Sequence, residues 1–179
     1  MNEFELKILD FIREHLACTF LDTVMPVITS LANGGIIWIA AAILLLLFKK
    51  TRKTGASVAL ALIMGLIIGN LILKNLVGRM RPYDLNEGVE ILIARLTDYS
   101  FPSGHTLASF ESATVLMLRD KRLGIPALVL SCAIAFSRLY LYVHYPTDVL
   151  AGIILGVFIG IFACKAVDRL TNTFAKRIS

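Results

Sequence analysis

Charged residues are scarce in this 179-residue chain, and their scarcity excludes most soluble folds. Asp, Glu, Lys and Arg make up 17% of the sequence, hydrophobic residues make up 57%, and the mean hydropathy is +0.76. Soluble domains contain about 25% charged and about 45–50% apolar residues. The composition therefore indicates a protein with lipid as its solvent, and its length predicts a single integral-membrane domain over residues 1–179.

Cysteine is also rare, and its spacing fits neither a metal site nor a redox pair. Cys18, Cys132 and Cys164 lie in or beside apolar stretches, where cysteine acts as a small hydrophobic residue. The N-terminus lacks the basic region and the small-residue cleavage site of a signal peptide. Neither the cysteines nor the N-terminus therefore indicates a metal, a cofactor or a secretory leader.

Long apolar runs predict an all-α bundle of transmembrane helices. A helix needs about 20 residues to cross ~30 Å of hydrocarbon, so the shorter runs must extend into their flanks. A weaker segment between Leu16 and Asn33 leaves five or six crossings open, and we favour six. Before it, apolar residues alternate with charges, as in an amphipathic helix on a membrane surface. The other predicted helices are 34–49, 54–76, 104–118, 123–143 and 147–168.

The net charge of +5 comes from basic clusters at the ends of these helices, which argues against a nucleic-acid partner. Basic clusters of this kind belong on the cytoplasmic side of a membrane. They place residues 77–103 and 144–146 on the extracytoplasmic face and the C-terminus inside. With the six crossings that we favour, the N-terminus is inside as well. The clusters are Lys49, Lys50, Arg52 and Lys53; Arg119, Lys121 and Arg122; and Lys165, Arg169, Lys176 and Arg177.

Five other basic residues lie on or near the outer face, against this rule. Lys74 and Arg81 are seven residues apart, so a helix that continues to Pro82 places both on one face. Two aligned cations suit a phosphate dianion. Arg79 and Arg95 fit lipid headgroups better than a second phosphate. The five residues are Lys74, Arg79, Arg81, Arg95 and Arg138.

Two histidines lie near predicted helix starts. Ser103 is placed to cap a helix, Gly104 allows close backbone approach, and His105 has a proton to give. A helix N-terminus also binds phosphate oxygens. His144 precedes Asp148 by four residues, and a carboxylate there can fix the tautomer of the imidazole. Taken singly, each segment also fits an ordinary helix cap, so their convergence on one face is the stronger signal.

These segments resemble the three motifs of the type 2 phosphatidic acid phosphatase (PAP2) family, which shares its site with vanadium haloperoxidases. The resemblance covers residues 74–148 and implies a six-helix membrane fold. It also implies metal-free hydrolysis of a lipid phosphate through a phosphohistidine. The motifs are Lys74-x6-Arg81-Pro82, Pro102-Ser103-Gly104-His105 and Ser137-Arg138-x5-His144-x3-Asp148.

The resemblance also implies a role for each motif residue. His144 is expected to attack phosphorus, Asp148 to orient it, and His105 to protonate the leaving oxygen. The remaining residues are expected to hold the phosphoryl oxygens. They are Lys74, Arg81, Arg138, Ser103 and the amide of Gly104.

Three questions stay open at this stage. Undecaprenyl diphosphate is our first choice of substrate, followed by phosphatidylglycerophosphate and phosphatidic acid. A lipid or phosphate transporter is the alternative function, although an oriented His144–Asp148 pair is unnecessary for transport. A vanadate-dependent peroxidase is disfavoured because those relatives are soluble. Glu111 fits either a functional role or a neutral structural one, and four loop acids are predicted to be solvated: Asp84, Glu87, Glu90 and Asp98.

Overall fold

The computed structural model describes residues 2–86 and 88–178, and its regular structure over these residues is entirely helical. The predicted all-α class is confirmed. Besides the α-helices, the chain contains a 3₁₀ turn, Asn33–Gly35, and a π-helical segment, Leu66–Leu73. Glu87 and the side chains of Lys176 and Arg177 lie outside the described residues. The helices are α1 (Asn2–Leu16), α2 (Thr19–Ser30), α3 (Ile36–Leu47), α4 (Arg52–Gly65), α5 (Lys74–Val77), α6 (Pro82–Leu85), α7 (Gly104–Arg119), α8 (Lys121–Tyr140) and α9 (Pro146–Ile178).

The five predicted helices all appear, and two of them have different ends. α8 stops at Tyr140 rather than 143, because Tyr142 has a φ of 60° and turns the chain out of the helix. The sequence stays apolar beyond the end of the helix because Leu141 and Val143 are buried in the turn that follows. α9 continues to Ile178 instead of ending at 168.

The predicted count of six membrane crossings is not confirmed. Three described segments are long and apolar enough to cross a membrane: Arg52–Leu85, Lys121–Tyr140 and Pro146–Thr173. α2 and the segment Asn33–Leu47 that follows it are bent by 44° relative to each other, and they add a fourth crossing if they form one span. Successive crossings run in opposite directions, so a bend of this size does not describe two of them. α7 has 16 residues and is therefore about 24 Å long, which is shorter than the ~30 Å of hydrocarbon that a crossing helix spans.

The N-terminal helix lies at the same end of the bundle as His144. Leu9 and Ile12 of α1 are buried in one cluster with Val143. The hydroxyl of Tyr142 donates to Asp10 at 2.6 Å. The prediction that the N-terminus lies at the cytoplasmic end is therefore wrong. The segment between Leu16 and Asn33 is only weakly apolar, so the sequence did not show in which direction it runs. A position of α1 on the membrane surface remains a prediction.

The central helix of the bundle is α7, which packs against α4, α8 and α9. Three glycines of α9 let it approach α7 closely. An added Cβ would lie 3.0 Å from the Ser103 carbonyl oxygen at Gly152, 2.9 Å from the Glu111 nitrogen at Gly156, and 2.7 Å from the Glu111 carbonyl oxygen at Gly160. Small residues at four-residue spacing allow such contact between membrane helices. The N-termini of α7 and α9 are thereby brought together.

Basic residues gather at the opposite end of the bundle. Arg119 at the end of α7 and Lys53 in the first turn of α4 both contact Asp168 of α9, at 2.9 and 3.2 Å. The clusters assigned to the cytoplasm therefore share one end, and the motif residues share the other.

Candidate active site

Lys74 and Arg81 meet at one carboxylate, that of Asp98. The ammonium of Lys74 contacts Oδ2 of Asp98, and Nη2 of Arg81 donates to Oδ1 at 2.6 Å. Arg81 also donates from Nε to the Asp98 carbonyl at 2.9 Å. Lys74 and Arg81 are nearly buried, whereas the side chain of Asp98 is 52% exposed. The prediction that Asp98 is merely a solvated loop acid is wrong.

The pKa of Asp98 reflects these contacts. Burial by itself raises the pKa, but the hydrogen bonds and charges of Lys74 and Arg81 outweigh it and lower the pKa to about 2. Asp98 is therefore an anion at any pH near neutrality, held on the two cations that the sequence assigns to phosphate.

The two cations come together by a route that the helical spacing did not predict. α5 ends at Val77, and Gly78 takes a left-handed φ of 58°. Arg81 has extended backbone angles, and Pro82 begins the short helix α6 instead of ending a longer one. The single continuous helix through Arg81 is therefore wrong, although Lys74 and Arg81 do come together, at the carboxylate of Asp98.

Arg138 lies in the last turn of α8 and is 1% exposed. Its Nη1 donates to the hydroxyl of Thr29 at 2.5 Å. Nε and Nη2 have no hydrogen-bond partner among the described residues. Two buried donors of one guanidinium match the fork geometry by which arginine holds phosphate oxygens.

The segment from Ser103 to His105 opens α7, as predicted. Ser103 is the N-cap residue, but its hydroxyl bonds to the hydroxyl of Thr106 at 2.9 Å rather than to a backbone amide. Gly104 leaves room for Asn70, because an added Cβ would lie 2.8 Å from Oδ1 of Asn70 and that side chain would have to move. Nε2 of His105 lies 2.9 Å from Oδ1 of Asn33, a partner that the sequence did not suggest.

His144 is buried, and one of its ring nitrogens faces a cation. Nε2 lies 3.3 Å from Nη1 of Arg81. A guanidinium can only donate, so Nε2 presents its lone pair and the proton of the neutral ring is on Nδ1. Burial, followed by the positive charges of Arg138 and Arg81, holds the pKa of His144 well below its usual range. The ring is therefore neutral, as a nucleophile requires.

Asp148 lies beside His144 but does not bond to it directly. Its Oδ2 is 3.6 Å from Nδ1 of His144, which is too long for a hydrogen bond. The same oxygen accepts from the hydroxyl of Ser100 at 2.5 Å and from the Tyr145 amide at 3.0 Å. Ser100 was missed in the sequence because its role depends on a contact between a loop and a distant helix.

The sequence favoured lipid headgroups as the partners of Arg79, but its guanidinium contacts acidic residues of the protein instead. It donates to Asp148 at 2.6 Å and to Glu5 at 2.5 Å. Arg95 behaves differently: its side chain is 62% exposed and lies 3.6 Å from Asp84. The prediction for Arg79 is therefore wrong. It failed because an isolated basic residue in a sequence gives no sign of acidic partners that are distant in the chain.

An apolar cavity of about 490 Å³ adjoins these polar groups. Lys74, Asp98 and His105 line one part of it. Glu111 also lines it, is 1% exposed, and has no hydrogen-bond partner for Oε2 in the described part of the chain. The apolar lining includes Ile39, Ala42, Ile43, Leu46, Leu62, Ile63 and Leu66. A phosphate with an apolar tail can therefore contact both Lys74 and the apolar wall of the cavity.

Within residues 2–86 and 88–178, no three His, Cys, Asp or Glu side chains are grouped closely enough to hold a metal ion. The positively charged motif residues of the site are Lys74, Arg81 and Arg138.

Sequence and structure comparisons agree with this architecture. The profile of the PAP2 superfamily matches residues 54–172. An undecaprenyl-diphosphatase of Sulfolobus acidocaldarius is 34% identical over 72% of this chain, and the match covers 63% of that relative, less than two thirds of its length. Undecaprenyl-diphosphatase BcrC of Bacillus subtilis is 30% identical over 84% of this chain and 77% of its own.

A solved structure is similar over most of its length. The crystal structure of Aquifex aeolicus LpxE matches with a TM-score of 0.79 and 28% identity, over 89% of this chain and 94% of that one. The motif-bearing residues of this chain, 74–148, lie inside the region that the family profile matches. The chain therefore belongs to the PAP2 superfamily.

Proposed function

We propose that this protein is a membrane lipid phosphatase that hydrolyses undecaprenyl diphosphate through a phosphohistidine on His144. One observation carries the proposal: the neutral imidazole of His144 presents the Nε2 lone pair to Arg81 at 3.3 Å, within a group of buried cations. A transporter needs cations to bind phosphate but has no need of an oriented lone pair. Family membership also favours hydrolysis over transport.

The reaction follows from these positions. Nε2 of His144 forms a bond to the terminal phosphorus, and the bond from phosphorus to the leaving oxygen breaks. His105 gives a proton to that oxygen, which releases undecaprenyl phosphate. Water, activated by His105, then attacks the phosphohistidine and releases inorganic phosphate. Phosphoryl transfer depends chiefly on positioning and charge stabilisation.

The remaining motif residues supply that stabilisation. Lys74, Arg81 and Arg138 hold the oxygens of the transferring group, and the Gly104 amide at the start of α7 adds a donor. Asp148 compensates the positive charge that develops on His144. No step in this scheme requires a metal ion.

The choice of substrate rests on the cavity and on the relatives. The cavity offers an apolar surface next to Lys74 and His105, which fits a lipid with a phosphorylated headgroup. The two sequence relatives described above are undecaprenyl-diphosphatases. Phosphatidylglycerophosphate and phosphatidic acid are the next candidates, because they offer the same headgroup chemistry with different tails.

The proposed location is a cell membrane with the active site on the extracytoplasmic side. Lys53 and Arg119 meet at Asp168, at the end opposite to His144. The positive-inside rule assigns that basic end to the cytoplasm. A site on that face is open to lipid phosphates of the outer leaflet.

The experiment is a phosphate-release assay on purified protein in detergent with excess EDTA. The substrates are undecaprenyl diphosphate, phosphatidylglycerophosphate and phosphatidic acid. We expect turnover of the first to be fastest and to vanish in His144→Ala. His15→Ala is the matched control, because His15 is exposed on α1 and stacks on Phe11. Normal turnover by His144→Ala, or activity that returns only with magnesium, would contradict the mechanism.

A further inference from the structure

Arg79 joins the N-terminal helix to the acid beside the proposed nucleophile. Its Nη1 donates to Oδ1 of Asp148 at 2.6 Å, and its Nη2 donates to Oε2 of Glu5 at 2.5 Å. The guanidinium also lies over the ring of Tyr145, 3.8 Å from the ring centroid. A planar group with both ends and one face in contact has a fixed orientation.

Glu5 is tied to the start of α9 by its other oxygen. Oε1 accepts from the amide and the hydroxyl of Thr147 at 3.0 and 2.6 Å. Glu5 is 4% exposed, although it belongs to the first helix of the chain. One carboxylate of α1 therefore fixes both Arg79 and the residue that precedes Asp148.

Asp148 needs such a partner. Its side chain is completely buried, and a buried carboxylate is costly unless it is paired and hydrogen-bonded. Arg79 supplies the charge at Oδ1, while Ser100 and the Tyr145 amide satisfy Oδ2. Lys74 and Arg81 are paired with Asp98 instead.

We propose that Arg79 is a positioning residue for hydrolysis and that Glu5 of α1 acts through it. Together they hold Asp148 where it compensates the charge that develops on His144. The inference rests on the proposed roles of His144 and Asp148. It makes the N-terminal helix part of the catalytic support, outside the three motifs that carry the chemistry.

The first test compares Arg79→Met with Arg79→Lys, using undecaprenyl diphosphate and the full chain in detergent. Arg79 does not touch the reacting atoms, and the phosphate-binding cations remain in both variants. We expect Arg79→Met to lower kcat by about 10–100-fold with KM changed by less than about threefold, by analogy with other supporting residues. Arg79→Lys restores the positive charge and should recover part of the loss.

The second test separates positioning from simple anchoring of α1. Glu5→Gln is compared with Asp10→Asn, because each neutralises an acid that ties α1 to the bundle. Asp10 does so through Tyr142, away from Asp148. We expect both variants to lower the thermal midpoint, and only Glu5→Gln to lower kcat. Equal kcat values in the two variants would reduce Glu5 to an anchor and overturn its proposed role.

A double-mutant cycle between Arg79→Met and Asp148→Asn completes the test, with single-turnover phosphate release as the readout. If Arg79 acts through Asp148, the loss caused by Arg79→Met is much smaller in the Asp148→Asn background. The same loss in both backgrounds, or wild-type kcat in Arg79→Met, overturns the inference.

His144→Ala, measured alongside, distinguishes the two proposals. If it keeps its activity, the proposed function fails. If it is inactive while Arg79→Met is fully active, this inference alone fails. If Arg79→Met does not fold, the comparison of kcat between Glu5→Gln and Asp10→Asn decides whether the inference stands.

Discussion

Nδ1 of His144 lies 3.6 Å from Oδ2 of Asp148, and the hydroxyl of Ser100 lies close to both atoms. Ser100 Oγ is 2.5 Å from Oδ2 of Asp148 and 3.4 Å from Nδ1 of His144. Catalytic hydrogen bonds are often long before substrate binds and shorten in the complex. The histidine and its acid are therefore neighbours, with a serine as the third member of the group.

Ser100→Ala should reduce kcat only modestly. Loss of one hydrogen bond costs about 1 kcal/mol, or about fivefold to tenfold in rate. Asp148→Asn should cost about 10⁴-fold, by analogy with removal of the orienting acid in serine proteases. Steady-state kinetics of both variants checks this order. Ser112→Ala is the control, since Ser112 is buried in α7 and its hydroxyl lacks a partner among the described residues. A loss in Ser100→Ala as large as that in Asp148→Asn would mean that the serine takes a direct part.

Asp98→Asn should strengthen phosphate binding. The Asp98 carboxylate occupies Lys74 and Arg81, so it competes with phosphate for the same cations. Its neutral replacement competes less, and the inhibition constant of inorganic phosphate should fall several-fold, about 1 kcal/mol of binding energy. Inhibition of turnover by phosphate provides the measurement.

The pKa of Asp98 also predicts how this effect varies with pH. Because the pKa is lowered to about 2, the carboxylate stays ionised from neutral pH down to mild acid. The ratio of the wild-type and Asp98→Asn inhibition constants should therefore show no step from Asp98 titration between pH 5 and 8. Asp84→Asn is the control, because Asp84 pairs with the exposed Arg95. Weaker phosphate binding in Asp98→Asn would show that Asp98 orients the cations rather than competing for them.

Gly156→Val should destabilise the bundle at the contact of α9 with α7. A Cβ at this position would lie 2.9 Å from the nitrogen of Glu111 and from Cβ of Phe110, so the helices must separate. Overpacking of this kind typically costs about 1–3 kcal/mol. Thermal unfolding in detergent should show a lower midpoint, whereas Gly88→Ala should not, because its Cβ would make only an ordinary contact with Oδ1 of Asn86 at 3.8 Å. An unchanged midpoint in Gly156→Val would contradict the close contact.

The sequence predicts those parts of the site whose residues lie close together along the chain. Ser103, Gly104 and His105 are adjacent, and His144 and Asp148 are one helical turn apart, so their residue types and spacing are visible in one segment. The apolar runs likewise locate α3, α4, α7, α8 and α9. The length of these runs also predicts the all-α class, because a helix satisfies its own backbone hydrogen bonds within a membrane.

The rest depends on contacts between distant segments. Asp98 reaches Lys74 across 24 residues, Ser100 reaches Asp148 across 48, and Glu5 reaches Arg79 across 74. No periodicity encodes such pairs. The direction of α2 and the position of α1 are equally hidden, because a short segment with mixed polarity fits either end of a bundle.

The most direct test of the proposed mechanism is to trap the phosphoenzyme. Protein is mixed with undecaprenyl diphosphate labelled with ³²P at the terminal phosphate, quenched in base within one turnover, and analysed for protein-bound label that acid releases. We predict label on His144, its absence from His144→Ala, and its presence in His15→Ala. Label that persists in His144→Ala, or wild-type protein that turns over without ever carrying label, would contradict the phosphohistidine mechanism.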